Sequence, residues 1–293
     1  MDDKEFLAER FEEHRPHLRA VAYRMLGSLA EAEDAVQDAW LRLSRADASE
    51  VENLGGWLTT IVARVCLNML RSRNTRREES LSVHVPDPLI SPEGTVQPEE
   101  EAVLADSVGL ALLVVLDTLA PAERLAFVLH DMFQLPFEEI APMVGRSPAA
   151  ARQLASRARR RVKGAEVPAP DPDLSRQRSV VEAFFQAARG GDFQGLVALL
   201  DPDVVLRADA GAFRPAQSTV LHGAEVVAGQ ALRFSLPNAQ LRHAVINGAA
   251  GVIVSVGGRS FSVMGFTVSD GKIVEIDAIA DPERVSRIVA AAG

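Results

Sequence analysis

Two proline-rich breaks decide what this chain can fold into. "EESLSVHVPDPLISPEGTVQPEEE" (78–101) sets Pro86, Pro88, Pro92 and Pro98 among acids, and "EVPAPDPDLS" (166–175) follows it. Proline lacks a backbone N–H and disfavours helix at the residue before it, so both stretches predict extended connectors rather than elements. The hydrophobic period is helical before Glu166 and mixed helix and strand after Ser175. The 293 residues leave room for two or three domains at roughly 100–200 residues each. The division is therefore 1–77, a connector 78–101, 102–165, a connector 166–175, and 176–293, with no internal repeat.

Several classes are excluded early. Cys66 is the single cysteine, so there is no internal disulfide, and a reducing compartment fits. The six histidines are scattered without paired-ligand spacing, and neither a metal nor a cofactor is expected. "MDDKEFLAERFEEHR" is acidic and amphipathic, unlike a signal peptide. The longest apolar run, "VGLALLVVL" (108–116), is about half a membrane span. A cytoplasmic protein with no membrane partner is the expectation.

In the first segment Leu7, Phe11, Leu18, Val21, Ala22 and Met25 recur at helical spacing until Gly27. "SLAE" then offers Ser28 as N-cap and Glu31 as its capping-box partner for a helix to about Ser44. A third helix is expected from near Trp57, with Leu58, Ile61, Val62, Val65 and Met69 inward and Thr60, Arg64, Asn68, Arg71 and Thr75 outward.

Past the first connector, 102–119 and 121–133 read as two apolar helices. "PFEEIAPMVGRSPAAARQLASRARRRVK" then gives a short helix, a turn at Gly145-Arg146, and a new start with Ser147 as N-cap and Pro148 at N1. This is a helix-turn-helix pattern. Its second helix turns Ala151, Leu154, Ala155, Ala158 and Val162 inward and Arg152, Gln153, Ser156, Arg157, Arg160 and Lys163 outward. Arginine and glutamine on such a helix reach guanine and adenine edges in the major groove. The formal net charge of −9 is no objection, because DNA feels the local face.

"LAEAEDAVQDAWLRL" and "GGWLTTIVARVCLNMLRSRNTRRE" resemble the sigma-two domain, and "LAPAERLAFVLHDMFQLPFEEIAPMVGRSPAAARQLASRARRRV" the sigma-four domain, of extracytoplasmic-function RNA polymerase sigma factors. The C-terminal region is similar to that of the subgroup carrying a SnoaL-like domain. The resemblance implies a multidomain chain: two all-α DNA-binding domains, a sigma-two helical bundle and a sigma-four helix-turn-helix, plus an α+β SnoaL-like cone. It implies core RNA polymerase as a partner of Asp34, Gln37 and Asp38. It implies minus-ten promoter DNA at Asn68, Arg71, Arg73, Arg76 and Arg77, with the loop Arg45–Gly55 receiving a flipped base. Arg152, Gln153, Ser156, Arg157 and Arg160 are assigned to the minus-thirty-five element. The acidic connector would thread the polymerase cleft. "VHVPDPL" (83–89) is similar to a Trp-Leu-Pro-Glu-Pro-Leu motif of the subgroup, with His84 and Val85 replacing its first pair.

After Ser175 the pattern is helix, Gly-Gly break, short helix, a strand from about Val204, a further helix, then strands joined at Gly257-Gly258 and Asp270-Gly271. The same subgroup implies regulation in cis. Asp209 and Arg214 in "DAGAFR", and Asp281, Pro282 and Arg284 in "DPERV", stand where the subgroup has its two C-terminal motifs. In the tail, Val285, Ile288 and Val289 form an apolar stripe. An enzyme would need an Asp or His inside the cone as general base, with Asp209, His222, His243 and Asp277 as candidates, none with a partner at telling spacing. A sigma factor, not an enzyme, is the leading reading. A ligand-responsive helix-turn-helix regulator and a cone enzyme fused to a DNA-binding module are the alternatives. A small ligand of the cone is a further candidate partner.

Overall fold

A computed structural model describes residues 3–45, 53–77, 83–91, 109–165, 167–211, 214, 217–236 and 238–292, with the backbone alone for 3–6 and 74–77. They group into two units. The first takes the described residues within 1–80 and 115–166; the second takes those within 81–97, 107–114 and 167–293.

In the first unit, helix α1 (Asp3–Leu26) stops at Gly27, whose φ of 65° is open to glycine. Helix α2 (Leu29–Leu43) is capped by Ser28, which accepts from the Glu31 N–H. The reciprocal half of the expected box is missing, because the Glu31 carboxylate is drawn to Arg73 of α3 (Leu54–Arg77). That helix starts three residues before Trp57. Asn53 caps it, its side-chain oxygen accepting from Gly56 N–H at 2.9 Å, and this local bond outweighs the poor helix propensity of Gly55-Gly56. Leu18, Val21, Met25, Val36, Leu58 and Cys66 fill the interior between the three helices.

Of the helix expected over 102–119, α4 (Leu110–Asp117) is seen; 101–108 lie outside the described residues. Helix α5 (Pro121–Phe127) runs into a π-helical turn (Val128–Met132). Helix α6 (Phe137–Val144) ends at Gly145, φ 65°, and Ser147 caps α7 (Pro148–Gly164) by accepting from Ala150 N–H at 3.3 Å. The helix-turn-helix is thus built as the sequence predicts.

Arg124 on α5 ties these helices to α1. It is 1% exposed, donates to Asp117 at 3.0 Å, and donates twice at 3.2 Å to the Arg24 carbonyl near the end of α1, where carbonyls lack intrahelical partners. The Phe133 ring meets His17 edge-on at 5.2 Å and lies 5.0 Å from the Arg24 guanidinium. Burial pushes the Cys66 thiol up to about 12, so it is an inert core residue.

The second unit is a seven-stranded sheet, order β1-β4-β5-β6-β7-β2-β3, with only β2 and β7 parallel. The strands are β1 (Ile90–Ser91), β2 (Leu200–Asp209), β3 (Thr219–His222), β4 (Gln240–Ile246), β5 (Ala249–Val256), β6 (Arg259–Ser269) and β7 (Lys272–Ile279). The three turns Asn247-Gly248, Gly257-Gly258 and Asp270-Gly271 all have positive φ at both residues, as two-residue hairpins of right-twisted strands require. Strand β2 begins before Val204 because a bulge between Leu200 and Val205 extends its pairing.

Helices α8 (Leu174–Gly190), α9 (Phe193–Leu199) and α10 (Ala224–Arg233) pack on one face around Val181, Phe184, Leu206, Val252, Phe266 and Ile276. Alternation along each strand sends Arg207, Asp209, Thr267, Asp277 and Ile279 to the other face. There α11 (Pro282–Ala290) lies against β6 and buries Val285 and Ile288, two of the three stripe residues. Strand β1 is a correction to the reading of 78–101 as connector throughout. Its backbone pairs Ile90 with Ile246 and Ser91 with Val245, satisfying groups that the β4 edge leaves open.

Truncating the fully buried Arg124 removes its donors to Asp117 and to the Arg24 carbonyl and empties the space its side chain fills. Arg124→Ala is expected to lower stability by about 3–5 kcal/mol, read as a shifted urea midpoint.

Candidate functional site

On the first unit, α2 turns its apolar residues inward, which leaves Asp34 and Gln37 exposed and Asp38 half-buried, 2.9 Å from Arg42 one turn on. Asn68 and Arg71 are exposed on α3. Arg73 is held differently: it donates to the Leu26 carbonyl at 2.8 Å as well as pairing with Glu31, so it closes the end of α1. The side chains of Arg76 and Arg77, and residues 46–52 of the loop expected to receive a base, lie outside the described residues.

The outward face of α7 carries Arg152, Gln153, Ser156, Arg157 and Arg160, all exposed. Several of its cations are positioned by their own domain. Arg157 Nε donates to Glu123 at 2.9 Å, Arg161 reaches the same carboxylate at 3.3 Å, and Arg159 pairs with Asp131 at 2.5 Å. Arg152 lies 5.3 Å from the centroid of the Phe137 ring. Glu123 and Asp131 are ion-pair partners of this helix that the sequence reading missed. They come from the helix 121–133, and no spacing within α7 announces them.

In the second unit the residues of the two C-terminal motifs meet the connector. Arg284, on the first turn of α11, donates to Asp87 (2.6 and 2.9 Å), to the Val85 carbonyl (2.6 Å) and to Asp209 (2.6 Å). Asp209 also accepts from Val85 N–H at 3.0 Å and lies 3.5 Å from His84 Nδ1. Val85 itself is fully buried. Farther along, Leu89 N–H donates to the Asn247 side chain and Asn247 N–H to the Leu89 carbonyl, each at 2.9 Å. The connector is therefore clasped to the sheet from Val85 to Ser91.

Asp281 and Pro282 serve the clasp indirectly. Asp281 caps α11 through Glu283 and Arg284 N–H, at 3.0 and 2.9 Å, and Pro282 opens the helix, together fixing where Arg284 emerges. Gly211 (φ 82°) is required here, since a Cβ would run into the Asp281 carboxylate. Arg214 is exposed and stands apart from the cluster. Burial alone would raise the Asp209 carboxyl. The His84 and Val85 hydrogen bonds, the Arg284 charge and Gly211 N–H outweigh burial and hold it well below the usual carboxylate range.

The residues an enzyme would need are dispersed. Asp209 and Asp277 project from the face opposite the α8–α10 core, not into it, and each binds an arginine. His222 is exposed at the end of β3, and His243 is half-buried in β4.

An acid-faced helical bundle followed by a helix-turn-helix with a basic second helix defines a sigma-70-type initiation factor. Residues 10–76 match the Sigma-70 region 2 family model and residues 109–162 the Sigma-70, region 4 model. The chain belongs to the extracytoplasmic-function RNA polymerase sigma factors. It is 37% identical to "ECF RNA polymerase sigma factor SigJ" of Mycobacterium tuberculosis (strain ATCC 25618 / H37Rv), over 94% of this chain and 91% of that one. It is 35% identical to "Probable ECF RNA polymerase sigma factor SigI" of Mycobacterium tuberculosis (strain CDC 1551 / Oshkosh), over 96% and 95% of the two chains. The crystal structure of M. tuberculosis SigJ superposes with a TM-score of 0.73 at 34% identity, covering 95% of this chain and 98% of that one. As a sigma factor the protein binds core RNA polymerase and promoter DNA, and it is an initiation factor rather than an enzyme.

Because the Asp209 carboxyl is depressed in the folded state, its contribution is present above the ordinary carboxylate value of about 3.9 and is lost as pH falls through the folded value. Acidification from about pH 6 to about pH 3 is expected to lower the melting temperature of the wild type more than that of Asp209→Asn.

Proposed function

We propose that this sigma factor reads the minus-thirty-five element with α7 and the minus-ten element with α3, docks on core polymerase through Asp34, Gln37 and Asp38, and is tuned in cis by the C-terminal sheet domain. The observation that carries the cis reading is the Arg284 clasp on the connector. That connector joins the two promoter-reading regions in sequence, and a sigma factor on a promoter must let both reach DNA at once. Holding Val85 to Ser91 takes about 24 Å of chain, at roughly 3.4 Å per residue, out of the freely adjustable part of the connector. The clasp thus favours an unextended form, and polymerase or DNA must work against its contact energy.

The DNA-facing roles differ by residue. Gln153 and Ser156 carry no charge and present donors and acceptors suited to base edges, while Arg160 suits a phosphate. Arg157 and Arg161 share Glu123, which aligns their guanidinium groups before DNA arrives. Phosphates would then take over from carboxylates as partners.

Two results are expected. Gln153→Ala should cost roughly 1–3 kcal/mol of promoter affinity and relax preference at one position, whereas Arg160→Ala should weaken all sequences alike and reduce the salt slope by about 1. Arg284→Ala should raise protease cleavage within 83–91 and increase run-off transcription with core polymerase several-fold. Unchanged transcription from a chain whose connector is demonstrably freed would overturn the cis reading.

A further inference from the structure

Within the second unit, on the sheet face turned away from α8–α10, lies a cavity of about 270 Å³. Its floor includes Ile246, Ala249, Gly265, Thr267 and Asp277, and its walls are the backbone stretches 109–112 and 167–170. The volume is near the lower end for small-molecule sites, which start around 300 Å³. On the opposite side of the sheet Phe184, Phe185 and Phe266 pack together with ring centroids 5.6–5.9 Å apart. Gly265 keeps the floor low: a Cβ there would stand 3.1 Å from Leu110 Cδ2.

The charge of this floor is unbalanced. Arg207 on β2 donates to Asp277 at 3.2 Å and to Glu275 at 3.1 Å, one guanidinium between two carboxylates. The second oxygen of Glu275 is buried without a hydrogen-bond partner. The wall stretches, Gly-Leu-Ala-Leu and Val-Pro-Ala-Pro, bring no titratable group, and β4, β5 and β6 contribute Ile246, Ala249, Gly265 and Thr267. One negative charge is left over beside an otherwise apolar cavity, where the low dielectric magnifies its attraction for a cation. The Arg207 guanidinium is outnumbered by the two carboxylates it binds, so the net field at the floor disfavours an anion.

We propose that this cavity binds a small apolar molecule bearing one positive charge, a compact primary amine in class, with its ammonium at Asp277. Burial pushes the Asp277 carboxyl up to about 6 against the opposing pull of Arg207, so the charge is present at neutral pH and removed just below it. The two wall stretches are those that lead into and out of residues 115–166 in the chain, so an occupant touches both. The site is independent of the Arg284 clasp, and its failure would leave the cis reading standing.

The test is isothermal titration of the full-length protein with phenethylamine, phenethyl alcohol and phenylacetate. The amine is expected to bind about tenfold or more tightly than the alcohol, and phenylacetate not to bind. Asp277→Asn should erase the advantage of the amine, and Ala169→Phe at the rim should weaken amine and alcohol together. If Asp277→Asn does not fold, the wild type still decides: amine affinity should fall about tenfold from about pH 7.5 to about pH 5, with alcohol binding unchanged. Equal affinities for the three probes, no binding of any, or amine binding indifferent to Ala169→Phe and to pH would overturn the proposal.

Discussion

The guanidinium of Arg284, taken out of water between Asp87 and Asp209, is the interaction on which the arrangement of the second unit depends. Burying three charges is costly, and the attraction between them offsets that cost only when geometry and hydrogen bonds are complete. Here they are nearly so. Three partners from two parts of the chain, Val85 and Asp87 in the connector and Asp209 on β2, satisfy Arg284, and Asp209 also accepts from two backbone N–H groups. Such a network contributes little that an apolar cluster could not. What it contributes is uniqueness, because the connector, the end of β2 and the start of α11 each have a single position in which no charge is stranded. Gly211 and the Asp281 cap hold that position from behind.

The basic helix α7 follows the opposite rule. Its arginines are exposed, while their partner Glu123 is buried and the side chain of Asp131 is partly so. Their effect is geometric: they hold flexible guanidinium groups near one orientation.

Much of this was legible in the sequence, and the reasons are local. Gly27-Ser28 and Gly145 through Pro148 set helix ends by chemistry confined to four or five residues, and they fall where expected. The α7 face follows from a period of 3.6. What escaped prediction depends on partners far away in the chain. Glu31 abandons its capping role for Arg73; Arg157 is held by Glu123; Ile90-Ser91 becomes a strand only because β4 has an open edge. Asn247-Gly248 was a local signal overlooked inside an apolar run. The faces of Asp209 and Asp277 hinge on register, which alternation fixes only once a bulge in β2 is known.

The clasp joins Asp87 to a residue 197 positions later, and that separation has a consequence in time. A ribosome adding about 5–20 residues per second needs about ten to forty seconds to pass from one to the other. Region 4 is itself made early in that interval, and for the remainder, roughly 120 residues, both sigma regions are complete while Arg284 has yet to be made. Each new chain therefore passes through a stage in which Asp87 and its neighbours have been made and the arginine that binds them has not.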